Sequence, residues 1–379
     1  MKVLFISNYY THHQAPLCEA LDLLTKHQFT FVETEEFPQE RKDLGWEEQN
    51  GAPFVKQYVN VKHRESNTVV DADIVILGNA PLQVIRPRLK AKKLTFLYSE
   101  RIYKNGYQPI KWLPRLLTFW WRYGRFESLY LLSASAYASF DYAVHGAFCA
   151  RSYKWGYFPK TKHYNINELF ENKNASRIMW CGRFLDWKHP EMALEIAKRL
   201  RNTGHVFEMV FIGAGAMKNE IERLAKNAGL TDSVIFLDAM NSEEVRHYME
   251  QAGIYLFTSD FHEGWGAVLN EAMNSGCAVV ASHAIGAVPF LLKHEENGLI
   301  YHNGNVEELY EYVEKLLDNP ELQKRLGSSA YLTINQTWNA EIAAERFLNL
   351  AEQIKSGGCC DLYSNGPCSP ANAVRNDWY

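Results

Sequence analysis

Residues 257–285 read FTSDFHEGWGAVLNEAMNSGCAVVASHAI. The apolar run Ile254–Thr258 leads into a loop containing Glu263-Gly264-Trp265-Gly266. Helix-forming residues fill Ala267–Ser275, Gly276 stops them, and Val279–Ser282 turns apolar and β-branched again. Strand, loop, helix, strand is the repeating unit of a parallel α/β sheet. The two loop glycines let the chain pass close to a ligand with its N–H groups exposed, and the helix behind them offers its positive end to an anion. Glu271 lies on that helix, and side chains lean toward a helix N-terminus. Its carboxylate is placed to accept hydrogen bonds from sugar hydroxyls, as the ribose acid of dinucleotide folds does. Glu263, in the loop, is placed for a second sugar. Standing alone, such a pair is more often ordinary loop and helix-surface charge.

The same alternation extends outward in both directions. Toward the N-terminus of this half, Ile178–Cys181 reads as a strand, Pro190–Thr203 as a helix, Phe207–Ile212 as a strand, Met217–Ala228 as a helix, Val234–Leu237 as a strand and Ser242–Glu250 as a helix capped by Ser242. Before residue 160 a first array runs through strands Met1–Ser7, Phe29–Thr34, Ile74–Leu77, Leu94–Tyr98 and Tyr142–Val144. The 379 residues are too many for one ordinary core, so two α/β domains are expected.

Within this frame, Glu263 and Glu271, inside EGWG…NEAMNSG…VVAS…G, resemble the glutamate pair and following loop of retaining family 4 glycosyltransferases of the GT-B fold. The segment Cys181–Pro190, CGRFLDWKHP, resembles that family's Gly-Arg…Lys stretch, and Ile212-Gly213-Ala214-Gly215 resembles its glycine-rich turn beside the nucleotide. Asp238-Ala239-Met240 stands where the family's backbone meets the base. The resemblance is strong over Arg177–Ile300 and only topological before it.

It implies two Rossmann-like, doubly wound domains facing across a cleft: an acceptor-side domain over 1–163 and a donor domain over 164–338. A helix within 339–356 would cross back to the first domain, and an irregular, loosely ordered tail would fill 357–379. It also implies site roles. Arg183 and Lys188 would hold the donor's diphosphate, Glu271 the ribose and Glu263 the donor sugar. Gly213, Gly215, Gly264, Trp265, Gly266 and Ala267 would line the donor site, the last four supplying N–H groups. A departing nucleoside diphosphate gathers negative charge, and a fixed cation in a dry cleft stabilises it by about 3 kcal/mol. No cofactor or essential metal is expected, and no His/Asp/Glu cluster has metal-ligand spacing.

Two landmarks of the family are absent. The first strand is followed by Asn8-Tyr9-Tyr10-Thr11-His12-His13-Gln14 instead of a glycine-rich loop, and Ser99 or Glu100 stands where a histidine usually ends a mid-domain strand. Retaining chemistry in the family needs no protein nucleophile, because front-face departure of the diphosphate assists the incoming hydroxyl. Glu100 could orient a hydroxyl or pair with Arg101 or another nearby base. His12 and His13 are acceptor-side candidates, and His145 is open to either reading.

Charge separates the halves further. Lys and Arg number 40 against 44 acids, yet Arg86–Arg125 holds eleven bases and one acid, Glu100, leaving 29 bases against 43 acids elsewhere. On a helical projection, Lys111, Arg115, Thr118, Arg122 and Arg125 share one arc, opposite Trp112, Leu113, Leu116, Phe119, Trp120 and Tyr123. Bases opposite aromatics suit a helix lying on an anionic membrane. They suit nucleic acid less, because stacking platforms interleave the two.

No apolar run approaches the ~20 residues of a spanning helix, and MKVLFISNYY lacks the features of a secretion signal. The expected location is the cytoplasm, peripheral on the inner face of the plasma membrane. Of seven cysteines, Cys18, Cys149, Cys181 and Cys277 read as small core residues, while Cys359, Cys360 and Cys368 crowd the tail. The expected activity is hexosyl transfer from a UDP- or GDP-sugar to a glycan hydroxyl on a lipid-linked intermediate of bacterial surface polysaccharide synthesis. The alternatives are a GT-B sugar-nucleotide epimerase and a catalytically silent nucleotide-sugar-binding scaffold.

Overall fold

The computed structural model describes residues 1–39, 51–58, 68–106, 112–358 and 360–379. They form two units. One comprises Met1–Gln39, the described residues between 51 and 160, and Thr337–Trp378; the other comprises Thr161–Gln336 and Tyr379.

The first unit is built on β1 (Val3–Ser7), β2 (Phe29–Glu33), β3 (Val55–Gln57), β4 (Ile74–Leu77), β5 (Thr95–Ser99), β6 (Leu129–Ser133) and β7 (Ser152–Lys154). They form a sheet in the order β3-β2-β1-β4-β5-β6-β7, parallel throughout. Val3–Ile6 and Ile74–Leu77 are all fully buried, as strands covered on both faces must be. Helix Ala340–Ser356 belongs to this unit. Its Phe347 ring packs edge-on against Phe96 of β5, the centroids 4.9 Å apart.

The second unit carries β8 (Asn174–Cys181), β9 (Glu208–Ile212), β10 (Val234–Leu237), β11 (Ala252–Phe257), β12 (Ala278–Ser282) and β13 (Leu299–Tyr301), ordered β10-β9-β8-β11-β12-β13. This is the doubly wound order 3-2-1-4-5-6, whose direction reverses between β8 and β11, where ligands of such sheets bind. The sheet core interdigitates Trp180, Phe184, Phe211 and Ile254 with Leu194 and Ile196 of helix Pro190–Asn202.

Several local expectations are corrected. Tyr142–Val144 is no strand: Tyr142 sits in helix Ala138–Ala143, its ring packed on Phe148 and Tyr123. The strand of that region is β6. The cap of helix Ser242–Gln251 is Asn241, not Ser242; its side chain accepts from Glu244 N at 2.9 Å while Glu244 returns a bond to Asn241 N at 3.1 Å. Cys149 is exposed rather than in the core, whereas Cys18 and Cys277 are buried.

The tail is anchored, not loose. Lys154 N donates to Ser369 O and Cys368 N to Lys154 O, each at 2.8 Å, so residues 368–371 pair with β7 and cover a sheet edge that would otherwise stand open.

The basic segment is not all surface. Arg88 is fully buried, donating to the carbonyls of Val69, Ala72, Asp73 and Leu94. Arg101 is buried with Asp141 at 3.8 Å.

Lys111 lies outside the described residues. From Trp112 an α-helix runs to Phe119 and passes into a π-turn, Trp120–Gly124, closed by Arg125 N to Trp120 O at 3.0 Å. That wider turn breaks the 3.6-residue phase assumed by the projection. The apolar side therefore splits. Phe119, Tyr123 and Phe126 pack on the core, while Leu113, Leu117, Trp120 and Trp121 remain 52–64% exposed.

Candidate functional site

In the second unit the residues following β8 and β11 flank the point where strand order reverses. After β8 the chain turns at Gly182, runs through Arg183, and forms a single 3₁₀ turn, Asp186–Lys188. After β9, Gly213 and Gly215 have φ of +142° and +151°, and their backbone lies against that segment: Phe184 N donates to Ala214 O at 2.9 Å, and Gly182 N to Ile212 O at 3.0 Å. A Cβ on Gly215 would stand 2.5 Å from Phe184 O. Gly215→Ala is therefore expected to cost about 2 kcal/mol or more in denaturant unfolding, from strain and overlap together.

From the other side, β11 is followed by Thr258, whose hydroxyl donates to Lys188 O at 2.7 Å and accepts from the buried Trp180 indole at 2.9 Å. The loop beyond brings Glu263 back, so that Lys188 Nζ and Glu263 Oε2 form an ion pair with both side chains 11% exposed. Ser259 Oγ donates to the same carboxylate oxygen at 3.1 Å. Two groups 75 positions apart are thus held together at the strand ends, and each charge stabilises the other where solvent is sparse. The Arg183 guanidinium lies 5.7 Å from the Trp187 ring, and among the described residues no carboxylate pairs with it.

Helix Ala267–Asn274 starts from Gly266 in left-handed conformation, φ +87°. A Cβ there would stand 2.4 Å from the Phe257 ring, so glycine alone lets this loop lie on the strand end. Trp265 is fully buried, its indole donating to Asn270 at 2.9 Å.

Glu271, one turn inside the helix, is 8% exposed. Among the described residues none donates a hydrogen bond to its carboxylate. Burial pushes its pKa up to about 7, partly opposed by the charge of Arg246, itself buried and bonded to Asn274 at 2.5 Å on the same helix. Asp238 is exposed and bonds Lys218 at 2.5 Å.

The first unit gathers the other candidates. His12 and His13 follow β1 with ring centroids 3.9 Å apart, and burial lowers His12 to about 4, leaving it neutral at pH 7. Glu100 ends β5. Its carboxylate accepts from Tyr157 at 3.1 Å and from Lys104 at 3.2 Å, so its basic partner is Lys104 and not Arg101. Tyr157 also lies 6.2 Å from the His13 ring. The structure therefore brings Glu100 and His13 to one tyrosine, a residue the sequence reading missed because nothing in its context marks it. His145 is a core residue, buried with Tyr103 Oη 2.5 Å from Nε2.

The two sheets and their helices define the GT-B fold. HepE from Anabaena, solved in complex with UDP, shares it at TM-score 0.69 and 17% identity over 94% of this chain and 100% of that one. Residues 162–333, nearly the whole of the second unit, match the model of the family described as glycosyl transferases group 1. An uncharacterized glycosyltransferase of Haemophilus influenzae is 29% identical over 166 residues, 44% of this chain and 46% of the relative. The amylovoran biosynthesis glycosyltransferase AmsK of Erwinia amylovora is 25% identical over 183 residues, 47% and 45% respectively. The chain spans about half the length of the curated relatives it matches.

Proposed function

We propose that the chain is a retaining glycosyltransferase, of the family 4 type, moving a hexose from a UDP- or GDP-sugar to a glycan hydroxyl on a lipid-linked intermediate. The observation that carries this reading is the buried, hydrogen-bond-starved Glu271 behind Gly266, set beside the Lys188–Glu263 pair at the reversal point of one sheet. A carboxylate kept this dry gains most from two hydroxyl donors, which a ribose supplies. The UDP in HepE supports a uridine donor, and the role printed for AmsK supports a polysaccharide product.

In this mechanism the diphosphate displaces Glu263 from Lys188 Nζ and draws in Arg183. Both cations then stabilise the charge that grows on the leaving group. Glu263, released, accepts from hydroxyls of the donor sugar. The N–H groups of Ala267 and Val268, at the helix start behind Gly266, are offered to the phosphate, while Leu269 N already donates to Gly266 O. Glu100 and the His12–His13 pair would receive the acceptor hydroxyl, and departure of the diphosphate on the face of attack preserves anomeric configuration. Divalent metal is not required, since the charge is met by Arg183 and Lys188. A thermal-shift panel of nucleotide sugars tests the donor assignment: UDP- or GDP-hexoses should raise the melting temperature, and a panel without effect would overturn it.

No helix among the described residues is long and apolar enough to cross a membrane. The ridge of Leu113, Leu117, Trp120 and Trp121, with exposed Arg122 and with Arg125 3.3 Å from the Trp121 ring centroid, is suited to lie in an anionic leaflet. Replacing Trp120, Trp121 and Arg122 together by alanine is expected to weaken co-sedimentation with phosphatidylglycerol vesicles by about tenfold or more. Unchanged sedimentation would remove the membrane from the proposal.

A further inference from the structure

Lys188 reaches its site from a turn that ends on an unusual residue. His189 has φ +50° and ψ +52°, a left-handed conformation that a histidine adopts only when its surroundings hold it. What holds it is on the page. Its Nδ1 lies 2.7 Å from Glu191 Oε1 on helix Pro190–Asn202, and its Nε2 lies 3.5 Å from Asp260 Oδ2 in the loop after β11.

Asp260 is itself fixed, its N–H donating to Trp187 O at 3.0 Å and its Oδ1 accepting from His262 N and standing 2.9 Å from His262 Nδ1. The turn Asp186–Lys188 and the loop Asp260–Glu263 are therefore joined twice by side chains, once through Lys188 and Glu263 and once through His189 and Asp260. A diphosphate that draws Lys188 away from Glu263 breaks the first link. The second then remains as the side-chain link to the Asp260–Glu263 loop, beside the backbone bond from Asp260 N to Trp187 O and the Thr258 hydroxyl on Lys188 O.

We propose that His189 is a positioning residue of the donor site: its imidazolium, gripped by Glu191 and Asp260, pins the turn so that Lys188 meets the diphosphate without rearrangement. The inference rests on the donor reading above. Both ring nitrogens face carboxylates, and both can donate only in the protonated ring. The hydrogen bond to Glu191 leads the effects that lift His189 above its ordinary pKa, against the opposing pull of burial. The other ionisable groups around it are Asp186 and Lys188 on its own turn and His262 and Glu263 on the facing loop.

The sign follows. His189 is protonated at low pH, and the clamp is lost as pH rises through its raised pKa. Glu271 acts in the opposite sense, since only the ionised carboxylate offers both oxygens as charged acceptors to the two ribose hydroxyls. Donor affinity should therefore pass through a maximum.

Calorimetric binding of UDP-glucose and GDP-mannose, whose diphosphate diesters carry constant charge near neutrality, tests this across pH. Glycine accepts the left-handed conformation, so His189→Gly keeps the fold while deleting the clamp. It should bind roughly tenfold more weakly than wild type at about pH 6.5 and should lose the alkaline fall while keeping the acid limb. His262→Gln should keep both limbs.

An alkaline fall that persists in His189→Gly, or a wild-type affinity that never falls on the alkaline side, would overturn the inference and leave the donor reading standing. A wild type that binds neither probe at any pH would overturn the donor reading and this inference with it.

Discussion

Lys188→Ala is expected to lower turnover by about 10²–10³-fold, the effect of removing one preorganised charge from a developing anion. It should also destabilise the protein, since it leaves the Glu263 carboxylate buried without its partner, a loss of roughly 3 kcal/mol. The two consequences are separable. Adding Glu263→Gln removes the orphaned charge, so the double variant should recover most of the lost thermal stability and none of the lost turnover. Product formation from UDP-glucose and the thermal midpoint, measured on both variants, decide the matter. If Glu263→Gln rescued turnover as well, Lys188 would be a structural partner of Glu263 and no diphosphate ligand. Arg183→Ala, with no carboxylate partner among the described residues to orphan, should lose turnover with little change in stability.

What the chain discloses before folding depends on how local the governing physics is. The second unit reads well because β9, β11 and β12 are short buried runs set between helices with clear stops, and each element announces itself within its own window. In the first unit Tyr142-Ala143-Val144 has the composition of a strand, but its place is fixed by packing on Phe148 and Tyr123, which no local window contains. The π-turn at Trp120–Gly124 is equally hidden. Gly124 is needed there because a Cβ would lie 2.8 Å from Gly146 O, a contact from another segment.

The site shows the same division. Residue types, order and spacing mark Glu263, Glu271, Arg183 and Lys188 as a set, because a motif is a local record of a three-dimensional demand. That Lys188 and Glu263 neutralise each other, and that His189 stands in a left-handed turn bound to Asp260, are relations across the sheet. The only local hint is the His-Pro step, with Pro190 at the first position of the following helix.

Glu271→Gln should show binding and stability moving in opposite directions. In the folded protein burial raises the carboxyl from its ordinary 4.5 to about 7. Below about pH 4.5 the group is protonated whether the chain is folded or not, and contributes nothing to the pH dependence of stability. Between about 4.5 and 7 the folded state holds a proton that the unfolded state has released, so stability falls as pH rises. Above 7 the fall is complete, and the wild type carries the full cost of an ionised, buried carboxylate, about 3 kcal/mol. Glutamine bears no such charge. The variant should therefore unfold at higher temperature than wild type at about pH 8 and lose that advantage on acidification toward the ordinary carboxyl range. Its UDP affinity at the alkaline end should fall about 10–100-fold, because a neutral amide replaces the charged acceptor of two hydroxyl donors. Thermal melts and calorimetry at the two pH extremes measure both effects. A variant that gained stability while keeping its affinity would separate Glu271 from the ribose, and one that lost both would show that the carboxylate supports the fold instead of straining against it for a ligand.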